Sequence, residues 1–390
     1  MSIYDLLSQR YTPDVEPQEP AGQHDDYRTD RLRLVDGVAV TPAGMVAGGE
    51  VPERTVPVVS PVLQGPDGFR LLVHAVKDVV PVEEPRLARH SAKALRLHAL
   101  IQTISLDALM LLEALPEGAG FDIVVSAPLR SAEAAEVVID RLGAMVAASA
   151  YAAGLGTLHH SDGGRDPHTV LGVQGAAGQP YVLWIGADSL LDHDDIAGLH
   201  RQGLLALASR QAGMFPGEAA YALLVQRIPE SGEDGPAPGW WLEAATRLEH
   251  PARDTLSLPD RQRLVGDLLA RVWPEGEDGE ACAPASLVMD TLELPGRVPE
   301  VLGPLLERWP ALDVIEHGLS VSALCGWPGE ALVPLQWVLA LASLDPGEDA
   351  LLLNLAEPNV SHAMALHACA PAATPNEAPP APAAVDRRRS

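Results

Sequence analysis

The segment from residue 181 to residue 226 constrains the fold most, because two apolar runs there flank a helical pattern. Residues 181–187 and 221–226 are short apolar runs bounded by Gly and Pro, which favours strands buried on both faces. Residues 190–210 between them have the spacing of a helix. A helix of this length fits the crossover connection between two strands of one sheet. The segment therefore predicts a strand-helix-strand unit within an α/β fold.

Two short motifs in this segment carry a family resemblance. Gly-Ala-Asp-Ser-Leu at 186–190 ends the first run, and Pro-Gly-Glu-Ala-Ala at 216–220 leads into the second. The pair resembles the thiolase and β-ketoacyl synthase superfamily, in particular the thiolase-like proteins associated with bacterial type VI secretion systems. The resemblance implies a five-layered α-β-α-β-α fold of two similar halves, each with a mixed β-sheet. It also gives Asp188, Ser189, Pro216, Gly217 and Glu218 a structural role.

The domain organisation follows from the resemblance and from changes in composition. Residues 1–32 form a polar, acidic N-terminal extension, and residues 33–44 are similar to the superfamily's first strand and turn. A loop rich in Glu, Gly and Pro at 228–239 separates the halves. We therefore expect an N-terminal half at 33–228, a C-terminal half at 229–367 and a disordered Ala/Pro-rich tail at 368–390.

Further elements are predicted in each half. In the first half, the region 87–112 has a helical pattern, either one helix or two that meet at 105–107. A strand at 121–127 and a helix at 132–153 follow. In the second half we predict strands at 240–248, 285–290, 350–355 and 363–367, and helices at 259–273, 298–309 and 334–342. The resemblance implies dimerisation through an edge strand of the first half, which we place at residues 123–127.

Charge and composition exclude several classes of function. The chain of 390 residues has a net charge of -26, so phosphate backbones would repel it, whereas a basic protein partner would be attracted. No apolar run approaches the roughly 20 residues that cross a bilayer, and the N-terminus does not read as a signal peptide. The three widely spaced cysteines fit a reducing cytoplasm, and the composition is typical of a GC-rich bacterial gene. We expect a cytoplasmic bacterial protein without cofactor, acting as a homo- or heterodimer.

The residues that the superfamily's chemistry requires are missing from their expected positions. Condensing enzymes of the superfamily use a nucleophilic Cys at the N-terminus of the helix before the strand that begins here at Tyr181. The helix dipole stabilises such a thiolate. Between Phe121 and Tyr181 the sequence contains no cysteine. A condensation reaction therefore has no visible nucleophile there.

The two histidines of the superfamily are also absent from the matching stretches. The first would lie in the turn 289–296, where Asp290 stands instead, and the second in the loop 324–331, which contains Trp327 and Pro328. Trp327 would crowd an acyl pocket. We take Asp290, Cys325, Gly326 and Trp327 as candidates for a vestigial pocket. Cys325, with Glu316 and His317 nearby in sequence, is a candidate nucleophile, but a buried structural thiol is the preferred interpretation.

Other polar constellations have ordinary structural interpretations. Asp188 with His193, Asp194 and Asp195, or His159 and His160 with Asp162, could supply metal ligands. The preferred interpretations are acidic residues in the first turn of a helix, a cap at Asp188 and Ser189, and a solvated loop at 159–162. Glu218 could act as a general base, but the resemblance assigns its carboxylate to backbone hydrogen bonds. We therefore predict neither a catalytic nor a metal site.

Three hypotheses follow from the sequence. The first is a catalytically inactive thiolase-like accessory, adaptor or effector-handling factor of a type VI secretion system. The second is a divergent enzyme that acts on acyl thioesters of coenzyme A or acyl carrier protein. The third is the non-catalytic partner of an active ketosynthase, similar to a chain-length factor.

Overall fold

The computed structural model of the protein describes residues 27–161, 167–171, 178–209, 213–229, 238–274, 282–292, 294–312, 314 and 318–369. Most of the predicted N-terminal extension and almost all of the predicted tail lie outside these residues. Asp162, Glu316 and His317 lie outside them as well.

The described elements alternate between strands and helices. In the first half they are β1 Tyr27–Thr41, β2 Gly44–Val46, β3 Val58–Gln64, β4 Arg70–Val73, α1 Ala92–Met110, β5 Phe121–Ser126, α2 Ala132–Ala147, β6 Leu155–Ser161, α3 Pro167–Leu171, β7 Tyr181–Ser189, α4 His193–Arg201 and β8 Glu218–Pro229. In the second half they are β9 Trp240–Glu243, β10 Thr246–Glu249, α5 Leu258–Val272, β11 Ser286–Met289, α6 Arg297–Arg308, β12 Gly318–Ser320, α7 Val321–Cys325, α8 Leu332–Ser343, β13 Ala350–Asn354 and β14 Val360–Ala368.

Both halves have the same strand order. The first half runs β1-β8-β7-β5-β6, and the second runs β10-β14-β13-β11-β12, with β9 joining β14 to β1. In each half three strands are parallel (β6, β5 and β7; β12, β11 and β13), and the last strand, β8 or β14, is antiparallel to its neighbours. The fold therefore contains two similar halves with mixed sheets, as the resemblance implies.

Three hydrophobic clusters lie between the sheets and the helices and define the layers of the fold. One outer cluster joins α1 and α2 to the sheet of the first half, and another joins α5 and α6 to the sheet of the second. The middle cluster contains α8 and residues from both sheets. The order is therefore helices, sheet, helix, sheet, helices, which confirms the five-layered α-β-α-β-α architecture.

Helix α8 shows how the sequence determines this middle layer. Apart from Gln336 and Ser343, its side chains are apolar around the whole circumference. It packs on β1 and β8 on one side and on β11 and β13 on the other. A helix without a polar face must be enclosed on all sides. The buried amide of Gln336 is satisfied, because it donates to the carbonyl of Leu353 (2.9 Å) and accepts from Asn354 (2.6 Å).

Helix α1 is a core helix of the outer layer. Ser91 caps it by accepting a hydrogen bond from the N–H of Ala94, and the helix continues through residues 105–107, so the region contains one α-helix. Contrary to the expectation that no apolar run approaches the length that crosses a bilayer, the stretch Ala92–Ala114 is long and apolar enough to do so, although most of it is buried in the fold, where α1 packs on β7 and β8.

The structure shortens the predicted helix at 190–210. Helix α4 spans His193–Arg201, and its N-cap is Asp192, whose side chain accepts from the N–H of Asp194. The prediction that Asp188 and Ser189 cap this helix is therefore wrong, because both residues end β7. The helix stops early because Gly203 adopts a left-handed conformation (φ 70°) and its N–H closes the last turn onto His200.

Other boundaries also differ from the predictions. The helix predicted at 132–153 ends at Ala147, and the chain then forms β6, which the sequence pattern did not indicate because its residues are only partly buried. Strand β1 begins at Tyr27, within the predicted extension. The strand predicted at 240–248 is two strands, β9 and β10.

The prediction that residues 123–127 form an edge strand, through which the chain could dimerise, is wrong. Strand β5 pairs with β6 on one side and with β7 on the other, so it is an interior strand. The outer strand of the first half is β6.

Candidate functional site

The two family motifs meet at the adjacent ends of β7 and β8. Ser189 lies opposite Glu218 in the antiparallel ladder, and its hydroxyl donates to the Glu218 carboxylate (2.8 Å). The same carboxylate is completely buried and also accepts from the backbone N–H of Val76 (2.9 Å) and from the guanidinium of Arg96. These contacts fix the start of β8 and leave Glu218 surrounded by donors.

Asp188 is held by a buried network next to this junction. Its carboxylate accepts from the backbone N–H of Glu330 (2.9 Å), and its other oxygen lies 3.3 Å from the ammonium of Lys93. Burial raises the pKa of Asp188, and the charge of Lys93 opposes this shift. The network ties the end of β7 to the loop of the second half that contains Trp327.

Lys93 also accounts for the carboxylates that the sequence suggested as metal ligands. Its ammonium lies 2.7 Å from Asp195 and therefore stands between Asp195 and Asp188. His160 lies on β6, where its Nε2 is 2.9 Å from the carbonyl oxygen of Ala127. In the part of the chain that the structure describes, no group of three or more His, Cys, Asp or Glu side chains could hold a metal ion.

The turn at Pro216 and Gly217 packs directly on the loop after α7. The N–H of Gly217 donates to the carbonyl of Trp327 (3.0 Å), and the N–H of Leu190 donates to the carbonyl of Gly217 (2.9 Å). The carbonyl of Pro216 accepts from the N–H of His74 (2.9 Å). The turn therefore joins the two halves through backbone hydrogen bonds.

A cavity of about 760 Å³ lies between the halves beside this junction. Its wall includes Pro167 and His168 at the start of α3, Asp290 after β11, Trp327 before α8, and Asn354 at the end of β13. Since α3 is the helix before β7, its first residues occupy the place where the resemblance puts the nucleophile. The cavity therefore lies where a thiolase-like enzyme would carry its active site.

Of the four vestigial-pocket candidates, the structure brings Asp290 and Trp327 to the cavity wall, whereas Cys325 and Gly326 do not line it. Cys325 is completely buried, and its thiol donates to the carbonyl of Val321 within α7 (3.3 Å). The thiol is therefore enclosed by its own helix and does not reach the cavity.

Asp290 is enclosed by donors at the base of the cavity. Its carboxylate accepts from the backbone N–H groups of Leu355 and Ala356 (2.6 Å each) and of Thr291 (2.6 Å). Burial raises the pKa of Asp290, and the charge of Arg297 opposes this shift. The carboxylate thus holds the loop after β13 against the turn after β11.

An ion-pair cluster supports Asp290 from the outer layer. Glu300 on α6 is almost completely buried and contacts Arg253, Arg297 (3.3 Å) and Arg261 (3.6 Å). Burial lowers the pKa of Arg253, and the neighbouring charge of Arg297 acts in the same direction. The charges of Arg297 and Arg253 favour the ionised form of Asp290 and so oppose the effect of its burial.

The polar wall residues that the sequence analysis missed include His168, Asn354, Glu357 and His362. The start of α3 at Pro167, a residue favoured in the first turn of a helix, was the available signal for His168. Asn354, Glu357 and His362 flank a strand turn, and only the tertiary structure brings them to the cavity.

Comparison with known proteins supports the fold. No protein-family model and no curated protein sequence matches the chain. The structure is similar to the ishigamide ketosynthase/chain length factor, with a TM-score of 0.51 and 16% identity over 87% of this chain and 99% of that one. It is also similar to an OleA variant from Xanthomonas campestris (TM-score 0.45, 13% identity, 87% and 99% covered). For the 3-oxoacyl-(acyl carrier protein) synthase III of Xanthomonas oryzae the TM-score is 0.44, with 12% identity and 87% and 99% covered.

At these identities the likeness shows the fold alone. Together with the repeated strand order and the five layers, it assigns the chain the fold of the thiolase and β-ketoacyl synthase superfamily.

Proposed function

We propose that this chain is a thiolase-fold protein that does not catalyse carbon-carbon condensation and that acts by binding a protein partner. The observation that carries the proposal is the position of the thiols. No cysteine lies between Phe121 and Tyr181, and Cys325 is enclosed within α7, away from the cavity wall. By the resemblance, Asp290 and Trp327 occupy the places where the superfamily has catalytic histidines. The indole of Trp327 has no basic nitrogen, and the carboxylate of Asp290 already accepts hydrogen bonds from three backbone N–H groups.

The partner that we propose is a component or effector of a bacterial type VI secretion system, met in the cytoplasm. The motifs around Asp188 and Gly217 support this role through their resemblance to thiolase-like proteins of such systems. The net charge of -26 favours a basic partner. Co-expression with the secretion proteins encoded nearby should yield a stable complex on affinity purification and gel filtration. Absence of a complex with every one of them would contradict this role.

A second candidate role is that of a non-catalytic subunit paired with an active ketosynthase. The observation that favours it is the structural likeness to a ketosynthase/chain length factor, which has the highest TM-score of the three proteins compared. Mixing the chain with a ketosynthase encoded beside it should give a heterodimer by light scattering. Separate elution of the two proteins would exclude this role.

A direct test of condensation chemistry distinguishes the proposal from an acyl-thioester enzyme, which the retained cavity favours. The full chain and its Cys325→Ala variant would be incubated with acyl-CoA and with acyl carrier protein, and the intact masses measured. We expect no acyl adduct on either protein. An adduct on the wild-type chain that disappears in Cys325→Ala would overturn the proposal.

A further inference from the structure

The turn 355–359, which follows β13, forms part of the cavity wall and is attached to the chain just after β10. Its cavity-lining residues are Ala356, Glu357 and Pro358. The backbone N–H of His250 donates to the carbonyl of Asn359 (3.0 Å), and that of Arg253 donates to the carbonyl of Pro358 (2.8 Å). The position of the turn therefore depends on the segment that contains these two donors.

The imidazole of His250 connects this segment to β14. Its Nδ1 lies 2.8 Å from the carbonyl oxygen of Pro251, and its Nε2 lies 3.2 Å from a guanidinium nitrogen of Arg253 and 3.0 Å from the hydroxyl of Ser361. A carbonyl only accepts hydrogen bonds, and a guanidinium only donates them. The contacts therefore require a neutral imidazole that carries its proton on Nδ1 and accepts at Nε2.

Arg253 extends this contact to the base of the cavity. Its guanidinium pairs with the buried carboxylate of Glu300, which also contacts Arg297 on α6 (3.3 Å) and Arg261 on α5 (3.6 Å). The carboxylate of Asp290, which accepts from the first two N–H groups of the turn (2.6 Å each), also attracts the Arg253 guanidinium. One cluster of charges therefore holds the turn at both ends.

The cluster around Arg253 already contains more cations than carboxylates. In the part of the chain that the structure describes, its three guanidinium groups face two carboxylates, those of Asp290 and Glu300. Burial lowers the pKa of Arg253, and the charge of Arg297 acts in the same direction. A proton on Nε2 of His250 would remove an acceptor and add a positive charge 3.2 Å from this guanidinium. Like charges at that distance repel strongly in a partly buried site.

We infer that His250 is a pH-sensitive switch, in which protonation at Nε2 displaces the segment after β10 and so releases the turn 355–359 from the cavity wall. Histidine is the side chain whose charge ordinarily changes between about pH 5 and 8, so acidification within this range would cause the release. The switch acts in the isolated chain. It therefore goes beyond the proposed function and can fail while partner binding holds.

Other titratable groups lie near the same wall. On β10, Arg247 pairs with Glu249 (3.0 Å), the residue before His250. On β14, His362 lies opposite Arg247 in the strand ladder and lines the cavity, as does His168 on α3. A response of the wall to pH therefore has to be assigned with single variants.

Hydrogen–deuterium exchange of the full chain at pH 7.5 and pH 5.5 tests the switch, with exchange times scaled for the intrinsic effect of pH on amide exchange. In the wild-type chain, peptides from residues 350–362 should exchange about threefold to tenfold faster at pH 5.5, because the added charge favours local opening. In His250→Gln, whose side chain can accept from Arg253 but takes no proton, the turn should stay protected at both pH values. His193→Gln, at an exposed position on α4, is the control and should respond as the wild type does.

Several results would overturn the inference. One is equal exchange of the turn at both pH values in the wild type, and another is a pH response that persists in His250→Gln or that disappears in His168→Gln or His362→Gln. Fast exchange in His250→Gln at both pH values would show that this residue has only a structural role, and would also overturn it. As a second measurement on the wild-type chain, nitrogen-15 NMR at pH 7.5 should find the His250 proton on Nδ1. A proton on Nε2 at that pH would contradict the switch.

Discussion

Gly217 shows how a single side-chain hydrogen can determine the contact between the two halves. A Cβ atom at this position would lie 1.7 Å from the carbonyl oxygen of Cys325, which belongs to backbone and cannot rotate away. Any larger residue would separate the turn before β8 from the loop before α8. The glycine of the Pro-Gly-Glu motif is therefore required by packing.

We predict that Gly217→Ala lowers the free energy of unfolding by about 1–3 kcal/mol or more, the usual cost of forcing extra atoms into a packed site. Gly198→Ala is the matched control, because Gly198 lies in helix α4 and a Cβ there meets no atom within 4 Å. The free energy of unfolding of the Gly198→Ala control should rise by up to about 1 kcal/mol, because Ala has a higher helix propensity than Gly. Urea denaturation followed by circular dichroism measures both, and equal stability of the two variants would contradict the packing argument.

His98 makes stability depend on pH. It is 3% exposed on α1, and burial lowers its pKa to about 4, with the charge of Arg141 acting in the same direction. The unfolded chain has the ordinary His pKa of about 6.5 and binds more protons between these two values. The contribution of neutral His98 is therefore complete above pH 6.5 and decreases as the pH falls toward 4.

We expect the free energy of unfolding of the wild-type chain to fall by on the order of 2 kcal/mol more than that of His98→Gln between pH 7 and pH 4.5. Asp188 and Asp290, whose pKa values are raised by burial, change stability in the opposite sense as the pH falls, but they are present in both proteins. Urea denaturation at several pH values measures the difference. Parallel pH profiles for the two proteins would show that His98 does not contribute.

At the scale of elements, the interior strands β7 and β8 could be predicted from the sequence, whereas the outer strand β6 could not. Strands β7 and β8 are buried on both faces, so their central residues, 182–187 and 219–225, are apolar. Strand β6 is the seven-residue outer strand of the first half, and Gly156, Thr157 and His159 on it are exposed. The opposite end of the described sheet, β12, has only three residues. The longer outer strand offers more unpaired backbone groups to another chain.

We therefore expect any dimer of this chain to form through β6. Because a charged residue on an edge strand opposes pairing with another strand, His159→Lys should raise the dissociation constant of the dimer about tenfold or more. Sedimentation velocity over a range of concentrations measures this constant. The control is Leu306→Lys, which adds the same side chain at a 47% exposed position on α6. An unchanged dimer in His159→Lys would place the interface elsewhere.

At the scale of the whole molecule, the two halves share one buried layer. Trp337 on α8 is completely buried, and its ring centroid lies 5.7 Å from that of Trp184 on β7. Trp184 in turn contacts Tyr221 on β8 (5.4 Å). Aromatic contacts between a helix of the second half and strands of the first couple the stability of the two sheets.

Trp337→Ala should lower the free energy of unfolding by about 3–5 kcal/mol, because the large cavity left behind cannot be filled by small movements of its neighbours. Leu306→Ala on the exposed face of α6 should change it by less than about 0.5 kcal/mol. Guanidinium denaturation followed by fluorescence and by circular dichroism should give coincident transitions. Two transitions of which only one moves would show that Trp337 stabilises a single half.

The sequence by itself determined the layered α/β architecture and its central elements. The apolar runs at 181–187 and 350–355 were predicted as strands and are β7 and β13, and the helix predicted at 334–342 is α8. These predictions are confirmed because each buried position requires an apolar residue, so burial can be recognised in the local sequence pattern. The absence of a cysteine before Tyr181 is likewise a property of the sequence.

Only the tertiary structure decided where the halves meet and what lines the cavity. The outer strand of the first half is β6, whereas the sequence had predicted residues 123–127. His168, Asp290, Trp327 and Glu357 come from distant parts of the chain and line one cavity wall. Strand order and cavity walls depend on contacts between segments far apart in sequence, and such contacts impose no periodic pattern on either segment. The same reason explains why Cys325, next to a candidate site in the sequence, lies outside the cavity in space.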